Sequence, residues 1–333
     1  MRRREFITLL GGAAVAPTML WTGAAHAQQD GRVRRIGMML NGAESDPARR
    51  AELAALRDGL ARLGWTEGRN LRVDLRWVDD PTRLVVVATE LVGLAPDVIV
   101  TSGGAATRAV KERTQTIPIV FTAAGDAVAN GLLRNIAQPE GNVTGFSSSE
   151  PSVAGKKLGL LKEAAPRLAR VAILFVPELA ATGPSYIASI EAVAPGLGVQ
   201  TVNVPVRNSV DIVRALDAFA AEPNGGIVVL PPPPVAAIRD TIIQLAAQHR
   251  LPVIYPNRTE TAAGGLMSYA TAPTDQYRRA ATYVDRLLRG AKVSELPVQF
   301  PTKYELIVNV KAAKAIGLTI PEAFLLRADE LIE

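Results

Sequence analysis

Short apolar runs alternate along this chain with longer segments in which apolar residues recur at the period of a helix. Several of the runs are continuously apolar, which is typical of strands buried on both faces of a parallel sheet. The runs predict eight strands, and these begin at Arg35, Leu71, Asp97, Pro118, Arg170, Val199, Gly226 and Pro252. They fall into two sets of four, one after the other along the chain.

The segments between the strands carry helix signals. Asp46 and Pro47 supply an N-cap and a first-turn proline ahead of an apolar stripe that ends at Gly64. Asp80 and Pro81 open the next helix in the same way. Strand–helix alternation at this spacing is typical of βαβ units. The sequence therefore predicts an α/β protein with two doubly wound parallel-sheet lobes.

Three extended segments are expected to cross between the lobes, and they are residues 141–147, 264–269 and 304–309. The helix predicted from Asp275 to Arg289 should pack back on the first lobe. Three crossings imply a hinge, with a ligand held in the cleft. We expect lobe one to hold residues 28–145 plus 270–302, and lobe two to hold residues 146–269 plus 303–333.

The first 27 residues have the features of an export signal. Three consecutive arginines precede an uncharged run from Ile7 to Leu20, which contains Pro17, and a small-residue motif ends at Ala27. The run is too short for a spanning helix, and the arginine pair resembles the twin-arginine type of bacterial signal. An uncleaved membrane anchor is the alternative, but Pro17 and the small residues favour cleavage near Ala27. The sequence thus predicts a periplasmic protein.

Charge and composition narrow the class of protein. Beyond residue 27, 34 Lys and Arg face 31 Asp and Glu, a net charge of +3, and no dense basic patch argues for a nucleic-acid partner. There is no cysteine, so a hydrophobic core must stabilise the fold and no thioether lipid can be attached. We expect a soluble monomer.

Little in the sequence supports an enzyme. His26 belongs to the predicted signal, which leaves His249 as the single histidine. One histidine and no cysteine exclude Cys/His chemistry, weaken a Ser-His-Asp triad and deprive zinc of its usual ligands. Neither a G-x-G-x-x-G nor a P-loop motif occurs. We therefore expect no cofactor, no metal and no catalytic residue, although scattered carboxylates leave a carboxylate-pair hydrolase open.

Several long motifs match one known family. They include RREFITLLGG, GNVTG, LRDGLARLGWTEGRNLRVDLRW, DVIVTSGGAAT, IPIVFTAAGDAV, AAQHRLPVIYP, AGGLMSYA, PTKYELIVNVKAAKAIGLTIP and LLRADELIE. The chain closely resembles the bacterial ABC-transporter substrate-binding proteins that include the tryptophan-binding TrpX-like proteins. The resemblance covers nearly the whole chain.

This resemblance implies a type I periplasmic-binding fold that closes on its ligand. It also implies capture of a small solute and delivery to an ABC permease in the inner membrane. It does not identify the solute. The alternative function is an extracytoplasmic ligand sensor for a signalling partner.

In open α/β sheets the ligand lies beyond the carboxyl ends of the strands. In lobe one this rule selects the residues at or after the strand ends, which are Asn41, Ser102, Gly103, Ala124 and Asp126. In lobe two it selects Pro177, Pro231 and Tyr255. Prolines 231–234 lack N–H donors and would form a rigid wall that favours an apolar ligand side chain.

The loop at Ser102 and Gly103 is the strongest candidate. It joins a buried strand to a helix, so that backbone N–H groups and the helix dipole can receive a carboxylate, and Gly103 allows close approach. The alternative is a tight turn in which Ser102 caps the helix. Asp126 could pair with a ligand ammonium or cap a turn. Together Ser102 and Asp126 would recognise a zwitterion, so the expected solute is an amino acid or a related carboxylate. Ser147 and Ser148 could contact ligand or bond the hinge backbone.

Aromatic candidates complete the predicted site. Tyr255, Tyr269 and Tyr186 could each present a ring and a hydroxyl to the cleft, or pack in the lobe core. We expect Asp275 to cap the helix that follows it, with a contact to the hinge as the alternative. Trp65 and Trp77 are expected to be packing residues.

Overall fold

A computed structural model describes residues 32–148, 150–177, 183–231 and 236–333. The export signal predicted over residues 1–27 lies outside the described residues, as do prolines 232–234 of the predicted rigid wall. Among the residues that the structure describes, no helix has the length and apolarity needed to span a membrane.

The first sheet has five parallel strands in the order β2-β1-β3-β4-β5. They are β1 Arg34–Asn41, β2 Leu71–Val78, β3 Val98–Ser102, β4 Ile119–Thr122 and β5 Val143–Gly145. The chain winds in opposite directions from β1, so the topological switch point lies between β1 and β3.

Helices cover both faces of this sheet. They are α1 Pro47–Arg62, α2 Leu84–Gly93, α3 Gly104–Lys111 and α9 Pro273–Leu288. Because side chains alternate along a strand, Val98 and Val100 of β3 pack under α1 and α9, whereas Ile99 packs under α2 and α3. At Gly59 a Cβ would stand 2.7 Å from the Cβ of Ala281, so glycine is needed where α1 and α9 meet.

The second sheet has seven strands in the order β12-β11-β10-β9-β8-β6-β7. They are β6 Arg170–Phe175, β7 Gln200–Pro205, β8 Gly225–Val229, β9 Val253–Tyr255, β10 Met267–Thr271, β11 Tyr304–Asn309 and β12 Glu330–Ile332. All neighbours are parallel except β10 and β11, which are antiparallel. Here the switch point lies between β6 and β8.

Seven helices accompany this sheet in the described ranges. They are α4 Ser152–Ala164, α5 Gly183–Val193, α6 Ser209–Ala220, α7 Ala236–Gln248, α8 Arg258–Ala262, α10 Val310–Ala315 and α11 Glu322–Leu325. One core joins the sheet to α4, α5 and α10, and a second joins its other face to α6 and α7. Single 3₁₀ turns lie at Pro81–Arg83, Pro195–Leu197 and Val293–Glu295.

The connections between the two sheets lie close together, but the second and third predicted crossings, residues 264–269 and 304–309, fall mainly in β10 and β11 of the second sheet, so the chain passes between the sheets just after β10 and just before β11. Just after β5, Phe146 forms a parallel bridge with Gln299, and the Ser147 N–H donates to the Gln299 carbonyl at 2.9 Å. Thr271, the last residue of β10, stands opposite Tyr304, the first residue of β11. All three connections therefore pass through one region.

The predicted α/β class with two doubly wound sheets is confirmed. Each of the eight predicted strands begins within one residue of its expected start, and Asp46 caps α1 by accepting the Ala48 N–H at 2.8 Å. The prediction that Asp275 caps its helix is wrong, because α9 begins earlier, at Pro273, with Ala272 as its N-cap. Asp275 lies in the first turn instead. The exact division into lobes stays a prediction.

Candidate ligand-binding site

The carboxyl edge of the first sheet brings the lobe-one candidates together at the switch point. Asn41 ends β1 and Ser102 ends β3, the two strands that flank that point. Gly103 has φ +85°, and a Cβ built there would stand 2.5 Å from Nδ2 of Asn41. The Asn41 amide therefore lies against the backbone of Gly103. Glycine is required both for this contact and for the positive φ.

Gly103 is the N-cap of α3, and it makes no side-chain cap hydrogen bond. Its own N–H donates to the carbonyl of Thr122 at 2.8 Å, which ties the loop to β4. The N–H groups of the first turn of α3 and the positive end of the helix dipole lie at this edge. The arrangement can receive a carboxylate.

Ser102 is buried, and its hydroxyl accepts a hydrogen bond of 2.7 Å from the hydroxyl of Tyr277 on α9. Burial, followed by the negative charge of Glu52, raises the pKa of Tyr277 to about 12, so this hydroxyl stays protonated. The Ser102 side chain thus anchors the loop to α9.

An ion pair between the half-buried Arg49 and the buried Glu52 continues this network. Nη1 of Arg49 donates to both carboxylate oxygens of Glu52, at 2.7 and 2.8 Å. Burial raises the pKa of Glu52, while Arg49 and the Tyr277 hydroxyl oppose that rise. The stem of Arg49 crosses the backbone just after β1, with its Cγ 3.2 Å from where a Cβ on Gly42 would be.

The loop after β4 is held in a fixed shape by side chains. Ala123 and Gly125 have φ of +52° and +67°. The hydroxyl of Ser147 donates to the Gly125 carbonyl, and the Gly125 N–H donates to Oγ of Ser148 at 3.1 Å. Both serines of the first crossing therefore bond to this loop, which fits the predicted hinge alternative.

Polar side chains also fix the rest of this loop. The buried Ala124 carbonyl accepts from Nδ2 of Asn130 at 2.8 Å. Oδ1 of Asp126 accepts the N–H groups of Val128 and Ala129, each at 3.0 Å. Asp126 is therefore a turn cap through one oxygen. Within the described part of the chain, its Oδ2 has no hydrogen-bond donor.

The second sheet contributes two tyrosine hydroxyls to the same region. Tyr186 of α5 is 4% exposed, and its Oη and the buried Oη of Tyr304 have no hydrogen-bond partner among the described residues. Burial raises the pKa of Tyr186, and the charges of Asp126 and Glu150 raise it further. Tyr186 packs in the core between α5 and the second sheet, and its hydroxyl is close enough to Asp126, which follows β4 of the first sheet, for that charge to raise its pKa.

Tyr269 lies beside this pair. Its ring stacks on that of Tyr304, with centroids 5.1 Å apart and planes 15° apart. Nζ of Lys156 donates to its hydroxyl at 2.7 Å. Tyr269 and Tyr304 therefore form an aromatic wall at the hinge.

Several candidates lie apart from this group. Tyr255 is fully buried in the core beside α6 and α7, and its ring packs where a Cβ on Gly265 would be. Pro177 and Pro231 are half-buried after β6 and β8, where the switch-point rule puts them. The carboxylate of Asp275 lies 3.9 Å from Arg278 and Arg279 on its own helix.

Sequence reasoning missed the roles of Arg49, Glu52, Tyr277 and Tyr304. No sequence pattern points to these roles, because α1, α9 and β11 come to the strand ends only in the folded protein. Trp65 is a packing residue as predicted, and its Nε1 donates to Asp285 of α9 at 2.8 Å. Within the described ranges, no group of three or more His, Asp or Glu side chains is arranged to hold a metal ion.

The family was decided by comparison with known proteins. The model of the ABC transporter substrate-binding protein family matches residues 43–332. This chain belongs to that family. Proteins of the family bind substrates and are not enzymes, which confirms the expectation drawn from the lone histidine.

Relatives of this substrate-binding protein span nearly its whole length. A tyrosine-binding protein of Clostridioides difficile is 21% identical over 290 residues, which cover 85% of this chain and 80% of that protein. A conserved domain protein from Vibrio cholerae is 30% identical, with a TM-score of 0.77 over 90% of this chain and all of the other.

A third similarity concerns the fold alone. The ABC domain from Streptococcus pneumoniae, solved in complex with L-Trp, is 22% identical with a TM-score of 0.77 over 90% of this chain and 99% of that one. The two sheets of this substrate-binding protein thus have the arrangement of a periplasmic-binding protein.

Proposed function

We propose that this protein is the solute-binding component of an ABC importer, and that it captures an amino acid and delivers it to an inner-membrane permease. It works in the periplasm as a monomer, after cleavage of the signal near Ala27. Membership of the substrate-binding family and the paired sheets support this role.

The observation that carries the proposal is the hydroxyl of Tyr186. It is buried, has no partner among the described residues, and is close enough to Asp126, which follows a strand of the other sheet, for that charge to raise its pKa. An unsatisfied buried polar group costs about 1–3 kcal/mol. A bound solute with polar groups would remove that penalty and would contact both sheets.

The chemistry of the two cleft walls suits a zwitterion. The N-terminus of α3 at Gly103 can receive a carboxylate. Oδ2 of Asp126 and the carboxylate of Glu150, both close enough to Tyr186 to raise its pKa, can pair with an ammonium. The rings of Tyr269 and Tyr304 offer a flat apolar surface for a side chain.

The relatives suggest which amino acids to test first. One is a tyrosine-binding protein, and another was solved with L-Trp. We therefore expect this protein to bind an amino acid with a large side chain, with L-tyrosine and L-tryptophan as the first candidates.

Capture would proceed by closure about the three crossings. In this proposal, residues 28–145 plus 270–302 move against residues 146–269 plus 303–333. Ser147 and Ser148, which bond the loop after β4, would link that motion to the position of Asp126.

A thermal-shift screen of amino acids and small carboxylates on the purified protein tests the function. A solute at 100 times its Kd should add about 2.7 kcal/mol to the free energy of unfolding. A carrier should also release that solute chemically unchanged upon denaturation. If no amino acid or carboxylate stabilises the protein, the proposed function is wrong.

A further inference from the structure

The side chain of Arg49 extends from α1 over the backbone at the end of β1. It lies in the first turn of α1, and its stem passes over Gly42, directly after the end of β1. Its side chain is 35% exposed, whereas that of its partner Glu52 is only 5% exposed. The guanidinium therefore reaches the carboxyl edge of the first sheet, where a ligand is expected.

The geometry of the ion pair leaves donors unused. Arginine and carboxylate commonly pair through two nitrogens. Here Nη1 alone donates to both oxygens of Glu52. Nε lies 3.9 Å from Asp46, too far for a hydrogen bond, and Nη2 has no partner among the described residues. One edge of the guanidinium fork thus stays open.

Buried groups hold Arg49 in this orientation. The carboxylate of Glu52 holds Nη1 of the guanidinium through two hydrogen bonds. The Tyr277 hydroxyl is close enough to Glu52 to lower the pKa of that carboxyl. Tyr277 in turn donates to Ser102, beside Gly103. The guanidinium is therefore linked by side chains to the loop proposed to receive a carboxylate. An arginine whose side chain is held by buried neighbours is already oriented to bind a planar anion.

We propose that Arg49 binds the carboxylate of the solute through its open edge, together with the N-terminus of α3. This inference rests on the proposed function and assigns a ligand contact that sequence reasoning did not select. Asp46 and Glu52 are the acidic groups beside Arg49, so the three formal charges sum to −1 and net charge does not favour an anion here. Specificity for a carboxylate then comes from hydrogen-bond geometry rather than net charge.

Calorimetric titration with L-tryptophan and L-tryptophanamide tests this contact, because the amide lacks the carboxylate. Arg49→Gln alone would leave Glu52 buried without a partner, so the double variant Arg49→Gln/Glu52→Gln removes both charges. It should weaken L-tryptophan binding roughly tenfold or more and change tryptophanamide binding by less than about twofold. Arg49→Lys should fall between, since an ammonium cannot offer the fork.

Arg62→Gln is the matched control. Arg62 lies on the same helix, is exposed, and pairs with Asp58 at 2.9 Å, away from Gly42. It should bind both compounds as the wild type does. If the double variant keeps its melting temperature and its preference for the acid, the Arg49 contact is wrong, while the proposed function stands. Wild-type protein that binds no amino acid at all would instead overturn the proposed function.

Discussion

The hydroxyl of Tyr277 donates a 2.7 Å hydrogen bond to the hydroxyl of Ser102, across 175 positions of the sequence. This contact fastens α9, which returns from the second sheet, to the end of β3 at the centre of the first sheet. It ties the shape of the proposed carboxylate loop to the packing of a helix that follows the hinge.

Tyr277→Phe should lower both stability and affinity. Removing the donor leaves the buried Ser102 hydroxyl without its partner, which costs about 1–3 kcal/mol. The loop at Gly103 should then lose its fixed position and bind an amino acid less tightly. Urea unfolding and calorimetric titration measure the two effects.

Tyr283→Phe provides the comparison for that variant. Tyr283 lies on the same helix and donates to the Pro297 carbonyl at 2.6 Å, away from the loop. It should lose stability with little change in affinity. Equal losses of affinity in both variants would show that the Ser102 contact has no special role.

Gly103→Ala should impair binding through a clash. Its new Cβ would stand 2.5 Å from Nδ2 of Asn41, in a backbone with φ +85°. Gly68 has φ +82° with open space around its Cβ position, so Gly68→Ala carries the same backbone strain without the clash. Gly68→Ala should lose about 1 kcal/mol by urea unfolding, and Gly103→Ala at least as much. Only Gly103→Ala should lose affinity; identical affinities would exclude the loop from the site.

Local patterns predicted the fold well, since strands and helix caps depend on residues that are neighbours in the sequence. Asp46 with Pro47 predicted the start of α1, and the apolar runs predicted the strands. The site was predicted only in part. Loops at strand ends follow from topology, whereas the chain Arg49–Glu52–Tyr277–Ser102 joins three distant segments that no local period connects. Asp275 was misassigned because Pro273 starts the helix earlier.

Lys157 predicts a pH dependence of stability. It is buried on α4, and burial lowers its pKa from 10.5 to about 8, with Glu260 opposing. Below pH 8 the lysine is charged in both states and destabilises the folded one; above 10.5 it is neutral in both. Stability should therefore rise between pH 8 and 10.5, by an amount of the order of 3 kcal/mol.

Lys157→Met should abolish that rise in urea unfolding curves measured across this pH range. Lys156→Met changes the preceding residue, whose side chain is exposed, and should leave the rise in stability with pH unchanged. A rise that persists in Lys157→Met would assign the effect to another group.

Tyr186→Phe should change stability and affinity in opposite directions. Deleting an unpartnered buried hydroxyl should raise the stability of the free protein, while a solute that bonds this hydroxyl should bind less tightly. Tyr255 also has an unpartnered buried hydroxyl but lies in the core. Tyr255→Phe should gain stability with unchanged affinity. Equal losses of affinity in the Tyr186→Phe and Tyr255→Phe variants would contradict a ligand contact by Tyr186.

The most direct test of the account is titration calorimetry of the purified protein with amino acids, followed by mass spectrometry of the bound compound. We predict that one amino acid molecule binds per chain, that the Arg49→Gln/Glu52→Gln and Tyr186→Phe variants bind it more weakly, and that it is recovered unchanged. Absence of binding by every amino acid tested, or recovery of a chemically altered compound, would contradict the claim that this protein carries an amino acid between its two sheets.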